Sequence, residues 1–123
     1  QTEIALSTTE AEYIALSQAL RDVIPLMAIL LEINTLLKLH IPTPEIHCQV
    51  YEDNNSCISV AKSTRFTPRT KHIAIKYHHF RSFVKNGSIS IKRVDTKEQT
   101  ADILTKPLEV GLFEHLRKKL NGW

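Results

Sequence analysis

The chain has 123 residues, 42% hydrophobic and 24% charged, with three glycines and five prolines. That suits one α/β-sized domain with a single core and excludes collagen-like, linker-like and low-complexity classes. The formal net charge of +3 conceals a division: residues 1–53 carry two basic and eight acidic side chains (net −6), and residues 54–123 carry fourteen basic and five acidic (net +9).

Residues 1–6 alternate weakly and read as a strand or its tail. Ser7-Thr8-Thr9-Glu10 matches the S/T-x-x-E capping box, in which side chains satisfy the free N–H groups of a helix start. The helix that follows places Tyr13, Leu16, Leu20, Ile24, Met27 and Leu31 at spacings of three and four. Pro25 is expected to kink or break it, because proline removes a hydrogen bond and clashes with the preceding turn. The pattern resumes to about Leu39, and Pro42 and Pro44 make a linker. The longest apolar run, around Ile29-Leu30-Leu31, falls well short of the roughly 20 residues of a membrane span. No membrane partner and no signal peptide are expected.

Ile46 to Tyr51 reads as a strand with Ile46, Cys48 and Val50 on one face. Asp53-Asn54-Asn55-Ser56 is a turn leading into a short helix to Lys62, and 63–71 is a basic loop. His72 to Asn86 reads as one helix with Ile73, Tyr77, Phe80 and Val84 inward, stopped at Asn86-Gly87. Ser88 to Val94 is a strand. A helix is expected from Thr96 to Lys106, and a last amphipathic helix over about Val110 to Leu120. The order predicts an α/β fold, with the 46–52 strand paired in parallel to its neighbour. Residues 1–123 form one domain in this reading.

Three acids stand out. Glu12 lies in the first turns of a helix, Asp53 just past a strand, and Asp102 in a later helix. Sites in open α/β sheets lie beyond the carboxyl ends of strands, and Asp53 falls there. Carboxylates converging from such positions offer the hard oxygen ligands that divalent cations take. Two such ions about 3.5–4 Å apart can drive phosphodiester hydrolysis. Each acid also has an ordinary structural use: Glu12 complements a helix dipole, Asp53 forms a turn or cap, and Asp102 sits on a solvated helix. Glu52 is expected on the opposite side of the strand from Asp53, and Glu10 belongs to the capping box.

Between Lys62 and Val94 there are nine Lys or Arg and no acid. That stretch suits a polyanionic partner as well as a solvated basic face. Cys48, Cys57, His72, His78 and His79 match no zinc spacing. Nothing sets Cys57 beside a base, and the two cysteines read as reduced and buried.

The motifs carry a resemblance. Leu6-Ser7-Thr8-Thr9-Glu10-Ala11-Glu12-Tyr13-Ile14-Ala15-Leu16 resembles the helix-start motif of the ribonuclease H domain in Ty1/copia-type retrotransposon polyproteins. Tyr51-Glu52-Asp53-Asn54-Asn55-Ser56-Cys57-Ile58 is similar to its Asp-Asn strand end. Arg69-Thr70-Lys71-His72-Ile73 with Tyr77-His78 is similar to its Arg-Thr-Lys-His-Ile segment. Val94-Asp95-Thr96, Glu98-Gln99, Ala101-Asp102-Ile103 and Thr105-Lys106-Pro107-Leu108 resemble its closing motif. Four motifs in the family's order cover most of the chain.

The resemblance implies an RNase H-like fold, a mixed sheet flanked by helices, that cleaves RNA in RNA–DNA hybrids. It makes Glu12, Asp53 and Asp102 catalytic, binding two Mg²⁺ or Mn²⁺ ions in the complete family site. Asn54, Arg65, Arg69, Lys71 and His72 become nucleic-acid contacts, holding phosphates rather than reading sequence. For His72 the capping of the helix after it is slightly favoured over nucleic-acid contact. The implied partners are the hybrid and an upstream reverse transcriptase region of the same polyprotein. The implied location is intracellular, in a cytoplasmic virus-like particle.

One departure stands at the front. The family's first catalytic Asp lies on a strand before the Ser-Thr-Thr-Glu-Ala-Glu motif, and the six residues ahead of that motif here include Glu3 but no Asp. The chain is therefore read as an N-terminally truncated domain with an exposed sheet edge, expected to be inactive as this fragment. The alternatives are a non-catalytic nucleic-acid-binding module and a structural remnant of a transposable element.

Overall fold

The structure, a computed structural model, describes residues 7–38, 46–63 and 75–123. The expected first strand at 1–6 lies outside them. Helix α1 (Thr8–Leu37) opens as its sequence requires: the Ser7 side chain accepts from the Glu10 N–H. It runs unbroken through Pro25, so the expected break does not occur. Apolar side chains on both sides of the proline (Leu20, Val23, Ile24 and Met27) pack on the core and offset the lost hydrogen bond.

Strand β1 (Cys48–Glu52) leads into α2 (Asn55–Lys62). A 3₁₀ turn (Ile75–His78) precedes α3 (Arg81–Lys85), where the sequence reading had one continuous helix. Both Tyr77 in this turn and Phe80 at the start of α3 are buried in the core. Strand β2 (Ile89–Arg93) follows, entered through Gly87 at φ 86°, a backbone state that glycine adopts without strain. The helix expected over 96–106 is instead two 3₁₀ turns, Thr96–Glu98 and Thr100–Leu104, divided at Gln99 with an extended ψ of 97°. The reason is tertiary: the Gln99 amide donates to the Tyr51 carbonyl, which holds the chain across the end of β1. Helix α4 (Val110–Asn121) closes at Gly122 with φ 77°.

The two strands pair in parallel, Cys48 with Ile89, Val50 with Ile91 and Glu52 with Arg93. Among the described residues neither outer edge of this pair is occupied. The core unites Tyr13, Ile14, Leu16 and Leu20 of α1 with Cys57 and Ala61 of α2, Tyr77, Phe80, and Ile89 and Ile91 of β2. The second half of α1 leaves this core and exposes Leu26, Ile29, Leu30, Ile33, Leu36 and Leu37. An 18-residue window of α1 has a mean hydropathy of 1.7, enough by length and composition to cross a membrane, although the helix's first half is part of the core.

A carboxylate site at the end of the first strand

Strand β1 ends at Glu52, and the chain turns at Asp53. Asn54 takes the N-cap position of α2, its side-chain oxygen accepting from the Cys57 N–H at 3.0 Å. The turn is pinned from β2. Arg93 donates to the Asp53 carbonyl at 2.6 Å and to the Asn55 side-chain oxygen at 2.7 Å, and Val94 N–H donates to the Glu52 carbonyl. Asp53 thus sits at the carboxyl end of the sheet, where the sequence put it.

Glu52 departs from expectation. It is 6% exposed, and one carboxylate oxygen accepts from the Asn54 N–H at 2.9 Å. Burial pushes its carboxyl above the usual range. The Asn54 hydrogen bond opposes that shift, and the nearby Glu12 and Asp53 reinforce it. Glu52 is therefore a member of the acidic cluster and not a residue of the opposite face. Strand alternation governs side chains only within the strand, and Asp53 has already left it.

Asp102 comes from the 3₁₀ turn Thr100–Leu104 and is buried. Its oxygen Oδ1 lies 3.0 Å from Lys106 Nζ, while the Lys106 N–H donates to the Asp102 carbonyl at 3.0 Å. The bond to Asp102 holds the Lys106 ammonium above its ordinary value. Desolvation opposes this, and the Asp102, Asp53 and Glu12 charges add to it. Among these acids, Asp102 alone is bonded to Lys106, at 3.0 Å.

The donor chemistry suits a hard divalent cation, but the arrangement does not provide a ready-made cage. Among the described residues, no group of three or more His, Cys, Asp or Glu is placed to hold a metal ion. Two histidines of the imagined zinc set have other partners. His78 Nδ1 hydrogen-bonds the Tyr13 hydroxyl, and His79 Nε2 donates to the Ser17 carbonyl. Cys57 is fully buried, and burial followed by the charges of Glu52, Glu12 and Asp53 pushes its thiol far above the usual range. A thiol so protonated is a poor nucleophile.

The nucleic-acid contacts inferred from the motifs are only partly visible. Arg65, Arg69, Lys71 and His72 lie outside the described residues. Asn54 uses its side-chain oxygen to cap α2. Sequence reasoning missed Glu52, Arg93 and Lys106. Lys106 had a usable signal, since a lysine four residues after an acid shares its helical face. Arg93 had none, as its partners are 38 and 40 residues away.

The sequence has relatives among transposon polyproteins. It is 38% identical over 119 residues, 97% of the chain, to the retrovirus-related Pol polyprotein from transposon TNT 1-94 of Nicotiana tabacum. It is 33% identical over 120 residues to the corresponding polyprotein from transposon RE1 of Arabidopsis thaliana, and 31% identical over 114 residues to the transposon Ty1-NL2 Gag-Pol polyprotein of Saccharomyces cerevisiae. The chain is thus homologous to a segment of Ty1/copia-type retrotransposon Pol polyproteins. It spans 8% of the tobacco and Arabidopsis relatives and 6% of the yeast one. No protein-family profile and no solved structure matches it.

Proposed function

We propose that this segment is a ribonuclease H domain of a copia-type retrotransposon reverse transcriptase, an RNase H-like fold acting on the RNA strand of RNA–DNA hybrids. The observation that carries the reading is that Asp53 stands just past the carboxyl end of β1 while buried Asp102 is carried on a 3₁₀ turn that the Gln99 amide ties to the Tyr51 carbonyl of the same strand. The Pol and Gag-Pol polyprotein relatives named above support it, and so do the four motifs. Glu12, Asp53 and Asp102 would be the ligands of Mg²⁺ or Mn²⁺, the ions that carboxylate oxygens suit. When bound, such ions supply an activated water and stabilise the leaving oxygen. The chain's own part is to set the acids at one sheet end: Arg93 fixes the Asp53 turn, and Glu52 fixes the Asn54 amide. The basic stretch from Lys62 to Arg93, including Arg65, Arg69, Lys71 and His72, would hold hybrid phosphates. The 2′-hydroxyls and A-form-like shape of the hybrid would supply selectivity. The neighbouring partner would be the reverse transcriptase region of the same polyprotein, within a cytoplasmic virus-like particle.

A second reading has its own observation. The acids form no metal-holding group among the described residues, which favours a non-catalytic module that grips nucleic acid through its basic side. A labelled RNA–DNA hybrid incubated with Mg²⁺ or Mn²⁺ separates the two, with an Asp53→Asn control. Metal-dependent cleavage lost in the control supports the enzyme. Salt-sensitive hybrid binding without cleavage supports the binding module, and neither result sinks both.

A further inference from the structure

We propose that the second half of α1 is a self-association surface: a second copy of this chain packs on it antiparallel, Leu26 against Leu37 and Leu30 against Ile33. The pairing does not depend on what the carboxylates bind.

Helix α1 carries two apolar faces. One runs through Leu16, Leu20, Ile24 and Met27 and packs in or against the core. The other comprises Leu26, Leu30, Ile33 and Leu37, which fall within about 60° of arc, roughly a third of a turn from the first face. These four side chains are 53%, 44%, 39% and 66% exposed. Exposed Ile29 widens the stripe, and Leu36, still more exposed, stands off to one side. From Val23 to Leu37 the sole charged residue is Glu32, which projects about 130° away from the stripe. Two copies therefore meet there without like-charge repulsion.

The stripe is self-complementary. Its spacing of four, three and four residues is that of a two-helix seam. It reads the same from either end, so a copy running the other way meets all four positions in one isologous contact. Direction follows from where α1 is anchored. Its first half holds Tyr13, Ile14, Leu16 and Leu20 in the core. A parallel copy would bring its own globular body against the first at the same end. An antiparallel copy sets the two bodies at opposite ends, and the overlap stops at Leu26, clear of Leu20. The five exposed side chains offer about 450 Å² per copy. A pair thus covers about 900 Å² of apolar surface, and with flanking atoms reaches the roughly 1,000 Å² that a specific interface needs. A patch of this size on one chain is large enough to mark a contact surface. An interface at that lower bound gives a reversible dimer that depends on concentration.

The test is sedimentation equilibrium of the full 123-residue chain over a micromolar concentration series, for the unmodified protein, Leu30→Lys and Leu36→Lys. Circular dichroism checks the fold, with Ile33→Lys as the replacement if Leu30→Lys does not fold. The unmodified chain should rise to twice its mass of 14.1 kDa. Leu30→Lys should stay at the single mass, because it places a charge in the seam. Leu36→Lys removes the more exposed leucine but lies off the seam, and it should dimerise like the unmodified chain. For direction, Leu26→Cys and Leu37→Cys chains are mixed and joined with a short bis-maleimide, and mass spectrometry reads the linked positions. Links from position 26 to position 37 are expected. A chain that is monomeric throughout, or that grows beyond the dimer, overturns the proposal. Equal weakening by Leu30→Lys and Leu36→Lys overturns it in favour of unspecific apolar association. Links of 26 to 26 and 37 to 37 overturn the antiparallel pairing. Adsorption to phosphatidylcholine vesicles with no dimer in solution overturns it in favour of a lipid surface as the occupant.

Discussion

The Tyr13 hydroxyl and His78 Nδ1 are hydrogen-bonded at 2.6 Å across 65 residues of sequence. The pair ties α1 to the 3₁₀ turn before α3, inside the core and close to Phe80. Arg81 lies 5.9 Å from the Tyr13 ring centroid. Tyr13→Phe keeps the ring packing and removes the partner of a buried imidazole nitrogen. The expected loss is about 1–3 kcal/mol, read from urea denaturation at pH 7. An unchanged midpoint would show that the bond contributes nothing net.

The same residue gives an alkaline prediction. Burial pushes the Tyr13 phenol up to about 12, against the lowering effect of Arg81. A folded value raised above the unfolded one means stability that is intact below about pH 10 and lost as pH climbs towards 12. Absorbance titration at the phenolate band should show one late phenol, which disappears in Tyr13→Phe. A late phenol that survives the substitution belongs to another tyrosine.

That pairing was invisible in the sequence, and the contrast shows what local pattern can carry. Ser7 and Glu10 are three residues apart, so the cap was legible. The strands at Cys48–Glu52 and Ile89–Arg93 were legible from alternation. Asp53 was placed beyond its strand because the Asp-Asn-Asn turn is local. The misread segments were decided at a distance: Gln99 leaves the helix to reach Tyr51, and the turn at Ile75–His78 buries Tyr77 beside Phe80. Glu52 was misassigned because one residue of turn geometry cancels the strand rule on which the assignment rested.

Glu52 yields a prediction with a defined sign. Its folded carboxyl is raised, chiefly by burial, so its stabilising contribution is complete below the ordinary glutamate value and lost as pH rises through the folded one. Glu52→Gln keeps an oxygen to accept the Asn54 N–H and removes the charge. Its stability relative to the unmodified chain should therefore improve between pH 4 and pH 7. Paired denaturation curves at the two values measure this. A difference that stays flat, or that shrinks with rising pH, contradicts the buried, like-charged setting.

The two halves of α1 should answer substitution differently. Leu20 is 1% exposed within the core and Leu36 is 72% exposed. Leu20→Ala is expected to cost about 2–5 kcal/mol through lost burial and a residual cavity. Leu36→Lys should change stability by no more than about 0.5 kcal/mol, while raising solubility by interrupting the apolar stretch from Leu26 to Leu37. Chemical denaturation and the concentration at which the protein precipitates provide the two readouts. A large stability loss at Leu36 would mean that the outer half of the helix is packed in solution.

Glu98 fastens α4 to the Thr96–Glu98 turn, just ahead of the turn that carries Asp102. His115 Nε2 donates to one carboxylate oxygen at 2.8 Å, and Lys119 Nζ lies 2.9 Å from the other. Lys119 also donates to the Glu98 carbonyl. The Lys119 and His115 hydrogen bonds hold the carboxyl below its usual range. The clasp is therefore formed above the ordinary glutamate value and weakens as pH falls through the depressed one. Glu98→Gln should speed hydrogen exchange in α4 amides at neutral pH and leave the amides of α1 unchanged, because α4 packs chiefly on the Thr100–Leu104 turn and its buried Leu116 is outside the cluster around Tyr13 and Leu20. Salt should produce the same change in the unmodified chain, since the contact is exposed and screened. Exchange that accelerates equally in both helices would instead show α4 and α1 opening as one unit, and would make Glu98 a determinant of global stability.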